Sequence, residues 1–369
     1  MKIINYEYLL DIDKLNDVFY TIKKNSKHRE KILKFSIFYT SNIFNVMQLL
    51  KNKNYVHGKY NIFIIKEPKY RIIMSECMSD KIINHLVSKY VLFPLLERKL
   101  IDSNVATREN KGTKEGINKL KKYINKLKEN NNKIYILKCD ITKFFYSIDH
   151  QILLYKLSTI IKDVDIYNLI KSIINSTNYD YVNEKINELK EKSREEINNL
   201  KISSKEKTLK LSQLDKIPNY KYNKGLPIGN MSSQILAIYY LNDLDHFIKE
   251  KLKIKYYIRY MDDFILIHPD KEYLKKCLYH IEKQLNNLKL KLNSKTQIIE
   301  IHDGLSFLGY KFILKNKRLY TLINSKVKRK INKSIKNISK EKRKKFLLER
   351  YNGYLKHGNV KGYIYKKTN

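Results

Sequence analysis

Asp262 and Asp263 stand side by side in Lys255-Tyr-Tyr-Ile-Arg-Tyr-Met-Asp-Asp-Phe-Ile-Leu-Ile267, where two β-prone runs meet at a pair of carboxylates. The runs Tyr256–Tyr260 and Phe264–Ile267 predict a β-hairpin whose tight turn lifts both acids to an edge. Adjacent carboxylates repel, so they need a compensating partner. A hard divalent cation that shares itself with substrate phosphates is the usual one. An isolated Asp-Asp pair is also an ordinary solvated turn, and here a third carboxylate changes the balance. Lys133-Ile-Tyr-Ile-Leu-Lys-Cys139 predicts a strand that delivers Asp140 at its end, a favoured place for catalysis, although Asp140 could equally cap the helix that follows. Asp149 and His150 read as capping and packing residues rather than an acid–base pair.

Cations and glycines supply the rest of a phosphate chemistry. After the strand-like Tyr60–Ile65, Pro68 breaks the run, and Lys69 and Arg71 alternate on one face of a strand running to Ile73. That pattern suits phosphate contact or an edge strand kept soluble by charge. A long helix from Asp80 to about Leu100 is followed by a polar loop through Arg108 that ends in Lys111-Gly112-Thr113. Gly112 allows close backbone approach, and Thr113 can cap the helix running to about Leu127. Gly225-Leu-Pro-Ile-Gly-Asn-Met-Ser-Ser-Gln234 is a glycine-bracketed loop in which Pro227 and Gly229 set the turn. Ser232 and Ser233 can cap the apolar helix beyond it. An amphipathic helix over Glu272–Leu288, an alternating strand from Leu288 with Lys295 just beyond it, and a short hairpin at Phe307-Leu-Gly-Tyr310 complete the set.

The elements that must position these residues lie in a chain of 369 residues, long enough for two or three compact lobes. Residues 1 to about 55 read as helical and carry no evident chemistry. Residues 180 to about 216 form a charged block with apolar positions at Ile186, Leu189, Ile197 and Leu200, which predicts an exposed helical hairpin inserted as an arm. Lys326–Asn369 predicts basic helices.

Lys and Arg number 75 against 37 Asp and Glu, for a net charge of +38 spread along the whole length. Such a field suits a polyanion, and binding to it would depend strongly on salt. The 30 tyrosines can stack on bases where they do not fill the core. A membrane surface is the competing polyanion, and no stretch supports it: the uncharged run Gly225–Asn242 is broken by Pro227, Gly229 and Asn230. The N-terminus lacks the apolar core of a signal peptide, and three scattered cysteines, Cys77, Cys139 and Cys277, make neither a disulfide framework nor a zinc cluster. These features predict a cytoplasmic protein with reduced thiols.

In their order along the chain these segments resemble a reverse transcriptase, over roughly residues 60–360. The resemblance implies an α+β, right-hand polymerase fold. A helical segment over 1–55 precedes fingers over 56–132. A palm over 133–312, built on an antiparallel sheet with helices and carrying the insertion, leads to a small basic helical thumb over 313–369. It implies RNA-directed DNA synthesis by two-metal nucleotidyl transfer. Asp140 and Asp262 would bridge two Mg²⁺ ions, with Mn²⁺ a substitute, beside Ile141, and Asp263 would be a weaker third ligand. Lys295 would protonate or stabilise the leaving pyrophosphate. Lys69 and Arg71 would hold the triphosphate, Phe145 would sit against the sugar's 2′ position, and Pro227, Ile228, Gly229 and Gln234 would face the nucleotide. Arg108, Lys111 and Gly112, with Phe307, Leu308, Gly309 and Tyr310 as primer grip, would contact nucleic acid.

Within the family, Ile228 stands where many relatives carry glutamine. Together with Phe307-Leu-Gly-Tyr310 and Tyr354-Leu-Lys-His-Gly-Asn359, the loop resembles enzymes of diversity-generating retroelements and the related bacterial defence-associated enzymes. Losing a hydrogen-bonding amide implies low fidelity. The insertion, long for the diversity-generating group, lends weight to defence. No ribonuclease H, endonuclease or zinc-finger segment is expected after the thumb. The implied partners are a structured non-coding RNA template, a DNA or RNA primer with its DNA product, dNTPs and a small accessory protein. A catalytically silent RNA-binding protein is the alternative from another class, and the intact Asp140, Asp262 and Asp263 argue against it.

Overall fold

The computed structural model describes residues 4–26, 29–67, 69–336, 338–339, 342, 345–347, 349 and 351. Pro68 and the Tyr354–Asn359 stretch therefore lie outside the described residues, as does most of the chain expected as basic helices after Ile335. Helices and antiparallel strands mix throughout, as an α+β chain requires. Contacts divide the chain into two interleaved units. One comprises Met1–Leu100, Thr142–Asn242 and Asn287–Leu290, the other Ile101–Ile141, Asp243–Asn286 and Lys291–Asn369.

The first unit opens with helices Ile12–Asn25, Arg29–Ile37 and Tyr39–Lys51, so the N-terminal expectation holds. Strands β1 (Asn61–Ile65) and β2 (Arg71–Ser75) pair antiparallel. The second strand thus begins at Arg71 and runs two residues past Ile73, leaving Lys69 in the turn before it. Beyond it the predicted long helix is a relay: Met78–Val87, a π-helical turn over Ser88–Leu92, then Phe93–Leu96 and a last tight turn to Lys99.

The charged block does form a helical hairpin, Asp180–Asn199 and Ser204–Asp215, but it is not a free arm. Val182, Ile186 and Ile197 are buried, and with Tyr60, Ile62, Ile72 and Met74 they make one apolar cluster. Burying such side chains is worth roughly 1.5–3 kcal/mol each, which outweighs the tendency of a charged helix to stay solvated. The helix after the glycine loop spans Met231–Tyr240, and its N-cap residue is Asn230; Ser232 and Ser233 lie inside the first turn, buried, and do not cap it.

The second unit is built on two antiparallel sheets. One has the order β4–β5–β3–β6, from β4 (Tyr256–Tyr260), β5 (Asp263–His268), β3 (Tyr135–Asp140) and β6 (Gln297–Glu300). The other is β7–β8–β9, from β7 (Leu305–Phe307), β8 (Tyr310–Lys315) and β9 (Arg318–Ile323). The strand expected from Leu288 is displaced to Gln297. Lys289 takes a left-handed turn (φ +54°), which no run of strand accommodates, and pairing resumes only at the Ile141–Leu292 bridge. The helix Thr113–Asn130 has Gly112, not Thr113, in its N-cap position (φ +115°), so the threonine is its first helical residue. Ile117, Leu120 and Ile124 of that helix join Ile136, Ile258, Ile265 and Phe307 in the unit's core. Lys271–Asn287 forms the expected amphipathic helix, and Ser325–Ile335 the first basic one.

Candidate active site

The three aspartates lie where β3, β4 and β5 end. Asp140, the last residue of β3, pairs directly with Asp263, the first of β5, and Tyr260 closes the β4–β5 hairpin against the same Asp263. Met261 and Asp262 form its two-residue turn, with Met261 left-handed at φ +58°. Burial raises the Asp263 carboxyl to about 7; Lys138 opposes the shift, and Asp140 and Asp262 reinforce it. Its Oδ1 is buried with no hydrogen-bond partner among the described residues.

Residues that the sequence reading did not single out hold this geometry: Arg259, Asp245, Tyr257, Asn293 and Lys138. Arg259 is fully buried and donates from Nε to Asp245 Oδ1 (2.7 Å) and from Nη2 to Asp245 Oδ2 (2.5 Å). Its Nη1 donates to the Met261 carbonyl (2.9 Å), clamping the turn residue whose left-handed backbone costs on the order of 1–2 kcal/mol. Tyr257 donates its hydroxyl to the same Asp245 (2.7 Å). Asn293 holds Asp140 twice: its backbone N–H donates to the Asp140 carbonyl (2.8 Å) and its Nδ2 to the carboxylate (2.9 Å). Lys138, two residues before Asp140, donates to the Ser306 carbonyl (2.6 Å) with its Nζ 3.7 Å from Asp263 Oδ2.

Lys295 is exposed, and with Lys138, Asp140, Asp263, Phe307 and Leu308 it lines a cavity of about 590 Å³. Phe307 and Tyr310 pair across a two-residue turn in which Leu308 (φ +48°) and Gly309 (φ +86°) are both left-handed, the signature of a type I′ hairpin. A Cβ on Gly116 would lie 2.7 Å from the tip of the Leu308 side chain, so the helix packs closely on this turn at a glycine. Ile141 is buried and bridges to Leu292. Arg108 donates to the Ile101 and Asn104 carbonyls, and Lys111 pairs with Asp102, so both serve the loop's own structure. Gly112 has open space where a side chain would stand.

The remaining predicted residues belong to the first unit. Lys69 and Arg71 are exposed at the start of β2. The Phe145 carbonyl accepts from Leu226 N (2.7 Å), stitching that residue to the glycine loop. Ile228 offers its carbonyl to Met74 N (2.9 Å), bonding the loop to β2. Pro227 is buried, and Gly229 (φ +145°) passes so near β2 that a Cβ would lie 2.3 Å from the Met74 carbonyl oxygen. Gln234 is exposed and, with Gly229 and Met231, lines a cavity of about 340 Å³ shared with Lys81 and His85. His150 is buried, its Nε2 bonded to the Gly225 carbonyl, and Asp149 caps its own helix through Ile152 N, as read from the sequence.

The sequence profile of the family "Reverse transcriptase (RNA-dependent DNA polymerase)" matches residues 51–312. The chain belongs to the reverse transcriptase family. No curated protein matches it. Among solved structures it is similar to the telomerase of Candida tropicalis truncated from its C-terminal domain, at 16% identity and TM-score 0.45, covering 77% of this chain and 60% of that one. It is also similar to the telomerase of Candida albicans in complex with a TWJ fragment of telomeric RNA, at 15% identity and TM-score 0.44, covering 79% and 51%. The chain thus spans little more than half the length of these telomerases.

Reverse transcriptases use divalent metals, and the donor set of this one fits them: hard carboxylate oxygens at the ends of neighbouring strands, one of them buried and unpartnered. It is not a closed cage. Among the described residues no group of three or more His, Cys, Asp or Glu is gathered around a single point.

Proposed function

We propose that this reverse transcriptase copies an RNA template into DNA by two-metal nucleotidyl transfer. The reading rests above all on the direct pairing of Asp140 with Asp263 beside the Met261–Asp262 turn. Asp140 and Asp262 would hold two Mg²⁺ ions, with Asp263 as third ligand and the Ile141 backbone alongside; the ions supply charge neutralisation for an in-line displacement. Lys69 and Arg71 would bind the triphosphate, Phe145 would exclude the ribose 2′-hydroxyl, and Lys295 would stand by the leaving pyrophosphate. The hairpin Phe307–Tyr310 would seat the primer, and Arg108, Lys111 and Gly112 would support the loop that meets the nucleic-acid backbone. In this reading the fingers span residues 56–132, the palm 133–312 and the thumb 313–369.

The template we favour is a structured non-coding RNA, copied with low fidelity in a diversity-generating retroelement, because Ile228 brings no side-chain amide to check the base pair. A second reading, phage defence, is favoured by the long insertion at 180–215. The three cysteines are unbridged, which suits a cytoplasmic setting. Among the described residues no helix is long and apolar enough to cross a membrane. The test is to sequence DNA made in host cells by the wild type and by Asp262→Asn. Wild-type-only copies of a nearby repeat altered at adenines are expected. Repetitive or untemplated DNA rising on phage infection would move the reading to defence, and identical DNA from both would end it.

A further inference from the structure

The insertion hairpin touches both pieces of the first unit that would face a nucleotide. Toward β1–β2 it buries Val182, Ile186 and Ile197 against Ile62, Ile72 and Met74. The Tyr181 hydroxyl accepts from Tyr60 N (2.9 Å), and Glu196 pairs with Lys66 in the turn between β1 and β2. Toward the glycine loop, Lys190 and Asn187 bond the side chain of Asn219, and Asn183 alone among the described hairpin side chains clips the backbone of the next residue, Tyr220. Asn183 Nδ2 donates to the Tyr220 carbonyl (2.8 Å), while Tyr220 N donates to Asn183 Oδ1 (2.9 Å). That two-way clip fixes the backbone of a tyrosine whose buried ring lies under Gly225, where a Cβ would come within 2.6 Å of it, and whose hydroxyl donates to the Leu226 carbonyl (3.3 Å). The loop so supported bonds back to β2 through Met74 N and the Ile228 carbonyl (2.9 Å).

We infer that the hairpin Asp180–Asp215 is a brace that sets the Gly225–Gly229 loop against β2, with Asn183 as its positioning residue, and that it thereby governs affinity and selectivity for the incoming nucleotide. The inference rests on the polymerase reading above. Asn183 reaches no reacting group; it acts through Tyr220. The hairpin's own closure is a separate matter, since Arg194 pairs within it, with Glu191 and Asp215.

Two measurements on the full chain test the brace. In primer extension on poly(rA) primed with oligo(dT), with Mg²⁺, Asn183→Ala should raise the KM for dTTP about five- to tenfold, the scale of one lost hydrogen bond. Misinsertion of dCTP should rise with it, while kcat and the KM for primer–template hold. Asn183→Asp, which keeps the acceptor for Tyr220 N, should fall between, and Arg194→Ala should match the wild type. Equal KM values for wild type and Asn183→Ala, or an equal rise in Arg194→Ala, would overturn the proposal. Hydrogen exchange needs no catalysis: Asn183→Ala should speed exchange at the Met74, Gly225 and Leu226 amides at unchanged melting temperature. Unmoved exchange there would overturn the brace even in a wild type that makes no DNA. A wild type without synthesis but with the expected exchange change would instead overturn the polymerase reading alone.

Discussion

Arg259 carries its charge with no side-chain surface in water, and Asp245 meets it with both carboxylate oxygens. Removing one partner of such a pair strands the other. Asp245→Asn should therefore lower stability by about 3–5 kcal/mol in urea unfolding. DNA synthesis should fall further than the unfolded fraction explains, because the Met261 carbonyl loses its fixed donor. An unchanged unfolding midpoint would mean that Arg259 finds another counter-charge. The acids at the strand ends were legible in the sequence because carboxylates placed between β-formers waste strand propensity and so announce a purpose. Arg259 was not: an arginine in a short strand reads as an outward residue, and nothing local reveals that Asp245, fourteen residues earlier, faces it. Asn293 was hidden for a related reason, since its bonds to Asp140 span 153 positions.

At the scale of elements, the β4–β5 hairpin, β3 and the Phe307–Tyr310 turn were all readable, because short runs of β-prone residues ending in turn residues specify themselves locally. The strand misplaced at Leu288 shows the opposite. Leu288 and Leu290 are buried on a loop, so an apolar–lysine alternation arose from packing without pairing. The insertion was legible as two helices but not as a packed element, since its apolar stripe matches β1–β2 only in three dimensions. The junction of loop and β2 is tight enough to test. Gly229→Ala puts a methyl where the Met74 carbonyl already lies, in a backbone region that suits glycine. It should cost about 1–3 kcal/mol by thermal or chemical unfolding. A neutral result would show that the loop can lift away from β2 without penalty.

For the whole molecule the dominant quantity is its net charge of +38. If it grips nucleic acid through some six to ten phosphates, affinity for single-stranded RNA should fall about 10²–10⁴-fold between roughly 50 and 200 mM salt. Fluorescence anisotropy across that range reads the slope, and a flat one would show that the charge is not used for binding. The interleaving of the two units is a property of the whole chain that no local pattern announces. It bears on the protein's birth. On a ribosome β3 emerges with Asp140 at its tip, but the partner that pairs with it, residue for residue to Asp263, lies about 120 residues downstream. At roughly 5–20 residues per second that strand waits on the order of ten seconds with both edges open. For that interval the nascent chain carries a half-built sheet with unpaired strand edges, the kind of surface that a holdase covers.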